Sequence, residues 1–398
     1  MKTAGEPKVQ GILLAGLNGW SESGIESFCC RPLLPVAGRP LIEYGFNWLR
    51  LAGVEHVSVC ADGYLGAFRR VFSSQPAPGV TVTYHEDLVP RGTAGCVLDA
   101  ASDTRADVLL VAESALAPWL DPRPLLEAHL ESGAGLTVVV APAGLFEEPA
   151  QAFLEPLGVY VISRQVLEHV PSKGFFDIKE MWIPRLHEQG VLVRPYVAQR
   201  PECPRVTDAA SYLAVNEAVL ARMSGIRTAD LEYRRVGEAW VHVTARIDPT
   251  ARLSGPVLIG PRCSVGARVN ILGPTTMGPD CQIESDVNVL HSSLWTGCRI
   301  GAGAVVIRSI VTAWSSIEAG GRMRNSVWGS DPNRSWQASL QARLYWPVPT
   351  ALPADELVQT VAVGAGEETE EESVLHAEVM ANGSAHRRRR AAAALLQM

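Results

Sequence analysis

The chain has 398 residues, 47% of them hydrophobic and 19% charged, with a net charge of −7. That length suggests two to three domains with ample chain for a buried core, and the acidic balance gives no general reason to expect nucleic acid as a partner. No apolar run reaches the ~18 residues of a membrane span, and 1–10 has no signal-peptide core, so a cytoplasmic protein without a membrane span is expected.

Strand-like and helical runs alternate through the first half. They read VQGILLAG, LIEYGFNWLRLAG, HVSVCA, YLGAFRRVF, VTVTYH, TAGCVLDAA, DVLLVAE, RPLLEAHLESG and LTVVVAPA. This alternation implies βαβ units and a mostly parallel sheet covered on both faces, a Rossmann-like α/β domain over 8–225. Eight cysteines, at 29, 30, 60, 96, 203, 263, 281 and 298, form no Cys-x-x-Cys pair and have no clustered histidines. Zinc and disulfide frameworks are therefore not expected, and most of the thiols read as small buried residues.

Between the first strand and the first helix lies Arg31 to Glu43, RPLLPVAGRPLIE. Strand-to-helix connections are where open α/β sheets bind ligands. From Pro32 to Tyr44 this stretch resembles the Pro-Lys-Pro-Leu-x-Pro-Val-x-Gly-(Lys/Arg)-Pro-Leu-Ile run of the sugar-phosphate nucleotidyltransferases, or NDP-sugar pyrophosphorylases, with Arg31 in place of the first lysine. Two further stretches, Pro90 to Leu98 (PRGTAGCVL) and Gly158 to Asn216, follow that family's order, so the resemblance covers roughly 8–330. It implies attack of a sugar-1-phosphate on the α-phosphate of a nucleoside triphosphate, with Mg²⁺ held by carboxylates.

The resemblance assigns roles residue by residue. Arg31 would contact phosphate in an active enzyme; the alternative is a surface charge beside the helix. Gly16, Gly92, Thr93 and Gly95 would line the nucleotide pocket, glycine being required where backbone must approach a base. The family's Gly-x-Gly-Thr-Arg-Leu loop is altered: Gly16 remains, the Thr-Arg pair is absent, and Glu22 and Glu26 add negative charge. The first metal aspartate falls at Ser114, with Glu113 at the preceding glycine, and the second falls at Arg205, with Asp208 three residues later. Glu113 and Asp208 are thus the remaining candidates for Mg²⁺. The hairpin that holds the sugar phosphate shrinks to Ala143 to Leu157, where Glu147-Glu148-Pro149 stands in place of Glu-Lys-Pro.

From Ile247 a six-residue repeat begins, with aliphatic leaders at 247, 253, 259, 265, 271, 277, 283 and 289, resuming at Leu294 and Ile300 after a one-residue slip. Such a repeat implies a left-handed parallel β-helix over 240–328, three hexads to a coil. Cys263, Cys281 and Cys298 fall one coil apart and should stack as a buried ladder. Hexapeptide acyltransferases use a histidine, and His242 and His291 are the candidates here. Residues 329–360 read as an irregular extension. The tail over 361–398, with acidic Glu367 to Glu372 and basic Arg387 to Arg390, reads as disordered.

Together these readings favour a degenerate member of the family that binds a nucleotide or nucleotide-sugar. It would act as a homo-oligomer or as the partner of an active pyrophosphorylase in nucleotide-sugar or polysaccharide synthesis. The alternatives are an active Mg²⁺-dependent pyrophosphorylase and a hexapeptide acyltransferase.

Overall fold

A computed structural model describes residues 7–16, 24–61, 66, 68–69, 79–87, 89–142, 154–198, 202–223 and 232–329. The loop 17–23, the acids at 147 and 148 and everything beyond 329 lie outside them, as does most of the helical run YLGAFRRVF.

The first domain is built on nine strands and five helices among the described residues. In chain order these are β1 (Val9–Leu14), β2 (Pro35–Val36), β3 (Arg39–Pro40), α1 (Ile42–Leu51), β4 (His56–Ala61), β5 (Thr81–Glu86), α2 (Gly92–Ala100), β6 (Val108–Glu113), α3 (Pro122–Ser132), β7 (Leu136–Pro142), β8 (Leu154–Ser163), α4 (Ile183–Glu188), β9 (Val193–Val197) and α5 (Ala209–Arg222). Seven strands form one sheet in the order β5-β4-β1-β6-β8-β7-β9. The β5-β4-β1-β6 half is parallel, and β8 runs antiparallel between β6 and β7.

Alternation of side chains divides the sheet's two faces into two cores. Leu13, Leu110 and Ala112 pack with α1, α3 and α5, whereas Ile12, Leu14, Leu109 and Val111 pack with α2 and α4. Covered on both sides, β1 and β6 are almost continuously apolar, as parallel strands require. The connection after β7 is shorter than the sequence suggests. Leu154 to Leu157, expected as loop, extend β8, with Glu155 opposite Ala141.

The Arg31 to Glu43 stretch forms a turn of 3₁₀ helix, a tight hairpin of β2 and β3, and the start of α1. Ala37 and Gly38 both have positive φ, 45° and 80°, as a two-residue hairpin turn requires. Asn216 of α5 holds the turn, its Oδ1 accepting the Ala37 N–H at 2.8 Å.

The second half is the three-sided stack of a left-handed β-helix, its three sheets ending at Ile317, Arg324 and Trp328 and parallel except where the edge strand Tyr233–Val236 pairs antiparallel with Ala239–His242. Successive coils are 18 residues apart up to Asn270 and Asn288, then 17 apart from Thr276 and Ser293 onward. The one-residue slip in the repeat is this shortening of the coil. Cys263, Cys281 and Cys298 are all at most 1% exposed, and they rise through the core as free thiols.

The two halves share a core. Trp240, Leu258, Trp295 and Ile310 of the β-helix pack in the same cluster as Leu34, Val36 and Tyr212. At the junction the Tyr212 hydroxyl donates to the Pro35 carbonyl at 2.5 Å and accepts from the Trp295 indole at 2.9 Å.

Candidate functional site

In the sheet order, chain progression runs outward from β1 to β4 and β5, then returns to β6 on the other side. The reversal lies between β1 and β6, and the crevice at the carboxyl ends of those two strands is where an open α/β sheet binds its ligand. β1 ends there in Leu14, two residues before exposed Gly16, and β6 ends in Glu113, paired in register with Leu14.

Glu113 does not present a free carboxylate to the crevice. The Arg205 guanidinium donates to its Oε2, and Lys179 Nζ lies 3.2 Å from its Oε1. Arg205 is brought there by an antiparallel bridge to Leu116, and its Nη2 also donates to the Leu157 carbonyl at 3.2 Å. Burial would push the Glu113 carboxyl up, but the Arg205 and Lys179 charges outweigh it and hold the group below the ordinary carboxylate range. Tyr160, buried beneath, has its phenol pushed up by burial and by the Glu113 charge.

This ionisation makes a prediction for stability. A carboxyl whose folded value lies below its ordinary 4.5 stabilises the fold above that pH, and the contribution is lost as pH falls through the folded value. On acidification below about pH 4.5, the urea midpoint of the native chain should fall more steeply than that of Glu113→Gln. Parallel slopes for the two proteins would contradict the assignment.

Lys179 is positioned by the segment before α4. Asp177 accepts the backbone N–H groups of Lys179 and Glu180 at 2.7 and 3.3 Å, capping this helical turn. Its other oxygen accepts Thr93 Oγ1 at 2.8 Å, and Thr93 Oγ1 in turn accepts the Ile178 N–H at 2.9 Å. Thr93 and Glu113 are thereby joined through a line of contacts that passes along Asp177 and Lys179.

The other expected site residues are placed differently. Gly92, at φ 72°, sits against the Phe176 backbone, 2.6 Å from a built Cβ to the Phe176 carbonyl oxygen. Gly95 lies under Arg91, whose guanidinium binds Asp99. Arg31 is paired with Glu26 at 2.9 Å, so one of the two acids that add negative charge after β1 meets this cation. Asp208 is the N-cap of α5, its Oδ1 accepting the Ser211 N–H at 2.7 Å while Ser211 Oγ accepts the Asp208 N–H at 2.9 Å. His242 is buried in contact with Thr244, Glu232 and Tyr233, and His291 occupies a coil corner at φ 49°. Among the described residues, no three His, Cys, Asp or Glu side chains come together as a metal site.

Lys179, Asp177, Tyr160 and Gly158 were not singled out from the sequence. The signal available was Arg205 itself: an arginine at a position where the resemblance requires an acid needs an acid partner, and Glu113 was at hand.

No protein-family model matches the chain. It is 25% identical over 279 residues to the mannose-1-phosphate guanylyltransferase of Mycobacterium tuberculosis, covering 65% of this chain and 77% of that protein. It is 26% identical over 282 residues to a glucose-1-phosphate thymidylyltransferase of Streptomyces antibioticus, covering 63% and 78%. A UTP–glucose-1-phosphate uridylyltransferase of Synechocystis is 22% identical over 353 residues, 79% of this chain and 86% of the relative. The chain is a distant relative of the sugar-1-phosphate nucleotidyltransferases. The uridylyltransferase match, the longest of the three, is long enough to take in the β-helix as well as the α/β domain.

Proposed function

We propose that this chain binds a nucleotide-sugar without transferring a nucleotidyl group, and serves as a regulatory or assembly component of nucleotide-sugar synthesis. The observation that carries the reading is the Arg205–Glu113 pair. Mg²⁺ does not fit the residues present. A divalent ion needs carboxylate oxygens in excess of nearby cations, and Glu113 is already neutralised by two cations. Asp208 would have to abandon its helix cap to join it.

Binding of the nucleotide draws on Gly16 at the end of β1 and on Gly92, Thr93 and Gly95 at the start of α2. The activities of the relatives support the ligand class, a nucleoside diphosphate joined to a hexose. Assembly through the β-helix, as a homo-oligomer or with an active pyrophosphorylase, belongs to the same reading, as does a cytoplasmic location. No helix of the described residues is long and apolar enough to cross a membrane.

The test separates turnover from binding. Pyrophosphate release should be absent across nucleoside triphosphates and hexose-1-phosphates with Mg²⁺. GDP-mannose, UDP-glucose or dTDP-glucose should raise the thermal midpoint, because a ligand at 100 times its Kd stabilises by about 2.7 kcal/mol. Turnover abolished by Glu113→Ala would overturn the reading in favour of an active pyrophosphorylase.

A further inference from the structure

The cluster at Glu113 carries more positive charge than its carboxylate neutralises. Arg205 and Lys179 both meet the one carboxylate, and their side chains keep 29% and 34% exposure. Asp177, the acid next along the line of contacts, directs its oxygens to Thr93 and to the N–H groups of Lys179 and Glu180. A guanidinium has five N–H donors, and the contacts of Arg205 to Glu113 and Leu157 use two.

The space for the guanidinium is built into the backbone. Gly158, at φ 84°, lies where a built Cβ would collide with Arg205 Nη2 and come 2.8 Å from the Glu113 carboxyl carbon. Any side chain there would expel the arginine. Glycine at 158, glutamate at 113 and arginine at 205 are therefore mutually dependent, and the unit they form stands at the carboxyl ends of β1 and β6.

We infer that Arg205 and Lys179 form a metal-independent subsite for a phosphate or diphosphate group, with Glu113 acting as the positioning residue that holds both cations. The electrostatics of such a subsite are opposite to those of a metal site. Two cations around one carboxylate repel a divalent ion and attract an anion, and the planar guanidinium fork matches phosphate oxygens two at a time. Identifying that phosphate as part of a nucleotide-sugar rests on the function proposed above; the subsite itself does not.

The experiment is calorimetric titration of the full chain with inorganic pyrophosphate in EDTA, alongside Mn²⁺ titration followed by electron paramagnetic resonance. Pyrophosphate should bind in EDTA, with the Kd rising roughly 10-fold in Arg205→Ala and in Lys179→Ala, as expected for loss of a charge-assisted contact. Arg205→Lys should recover part of the loss, and Mn²⁺ should show no Glu113-dependent binding. Lys179 is a third exposed, so its alanine variant keeps the test valid if Arg205→Ala does not fold.

Failure of pyrophosphate to bind in EDTA, with or without rescue by Mg²⁺, would overturn the inference. So would equal affinity in the native chain and both alanine variants, or Mn²⁺ binding lost in Glu113→Gln. Nucleotidyl turnover combined with EDTA-resistant, Arg205-dependent pyrophosphate binding would sink the non-catalytic function and leave the subsite standing. Nucleotide-sugar binding without turnover, combined with no pyrophosphate binding in EDTA, would do the reverse.

Discussion

Replacing Tyr212 by alanine should lower the stability of the chain by about 4 kcal/mol, the middle of the range for truncating a buried aromatic. Tyr212 is fully buried and packs edge-to-face on Trp295, ring centroids 6.2 Å apart. Burial pushes its phenol up, so the hydroxyl stays protonated and keeps donating to the Pro35 carbonyl. The same oxygen accepts from the Trp295 indole and lies 3.1 Å from Ser293 Oγ. One side chain thus ties the β2–β3 hairpin and α5 to the β-helix. Tyr212→Phe keeps the ring and takes the hydroxyl away from the Pro35 carbonyl, the Trp295 indole and Ser293, at a cost of about 1–3 kcal/mol. Urea unfolding followed by tryptophan fluorescence and by far-ultraviolet circular dichroism should show coincident transitions in the native chain and separated ones in Tyr212→Ala. An alanine variant with an unchanged midpoint and coincident transitions would show that the halves are held together elsewhere.

Much of the fold was legible because its signals are local. The hexad repeat is a translation along the chain, so its phase slip after Val289 could be read as a shorter coil, and the structure carries that shortening in its registers. The cysteine ladder follows from the same count. Alternation of apolar runs likewise revealed the parallel half of the sheet. The antiparallel β8 was not legible, because its pairing with both β6 and β7 depends on how the chain returns and not on any composition of its own.

The site was legible in outline and not in its contacts. Glu113 and Arg205 stand 92 residues apart, and nothing in either neighbourhood shows that one faces the other. Counting positions placed Arg205 where an acid was expected, which reads in sequence as a loss. In three dimensions it is one half of an ion pair. Asp208 shows the opposite failure: an acid near a wanted position was kept as a ligand candidate, although Asp-x-x-Ser ahead of an apolar helix is also a capping signature. Glu26 had the same ambiguity, since a loop acid repels phosphate only if no nearby cation has claimed it.

Gly92→Ala should cost the ligand-free chain about 3 kcal/mol. At φ 72° an alanine carries left-handed strain of about 1–2 kcal/mol. Its Cβ would also lie 2.6, 2.7 and 2.9 Å from the Phe176 carbonyl oxygen, carbonyl carbon and nitrogen. Backbone cannot swing aside as a side chain can, and overpacking of this kind adds about 1–3 kcal/mol. The Phe176 carbonyl also accepts the N–H groups of Ala94 and Gly95, at 3.1 and 3.3 Å, and the Phe176 N–H donates to the Arg91 carbonyl at 2.8 Å. Displacing Phe176 therefore breaks the seam between α2 and the turn that carries Asp177 and Lys179. Gly95→Ala is the milder comparison, because Gly95 lacks the left-handed φ of Gly92 and its built Cβ has a single contact under 3 Å, 2.8 Å to Arg91 Cβ; it should cost about 1 kcal/mol, the lower end of overpacking. If Gly92 served only to admit a nucleotide base, the ligand-free midpoints of both variants would match the native chain and the defect would appear in binding alone. The geometry predicts instead that Gly92→Ala loses stability first, and weakens pyrophosphate binding because Lys179 is no longer held against Glu113.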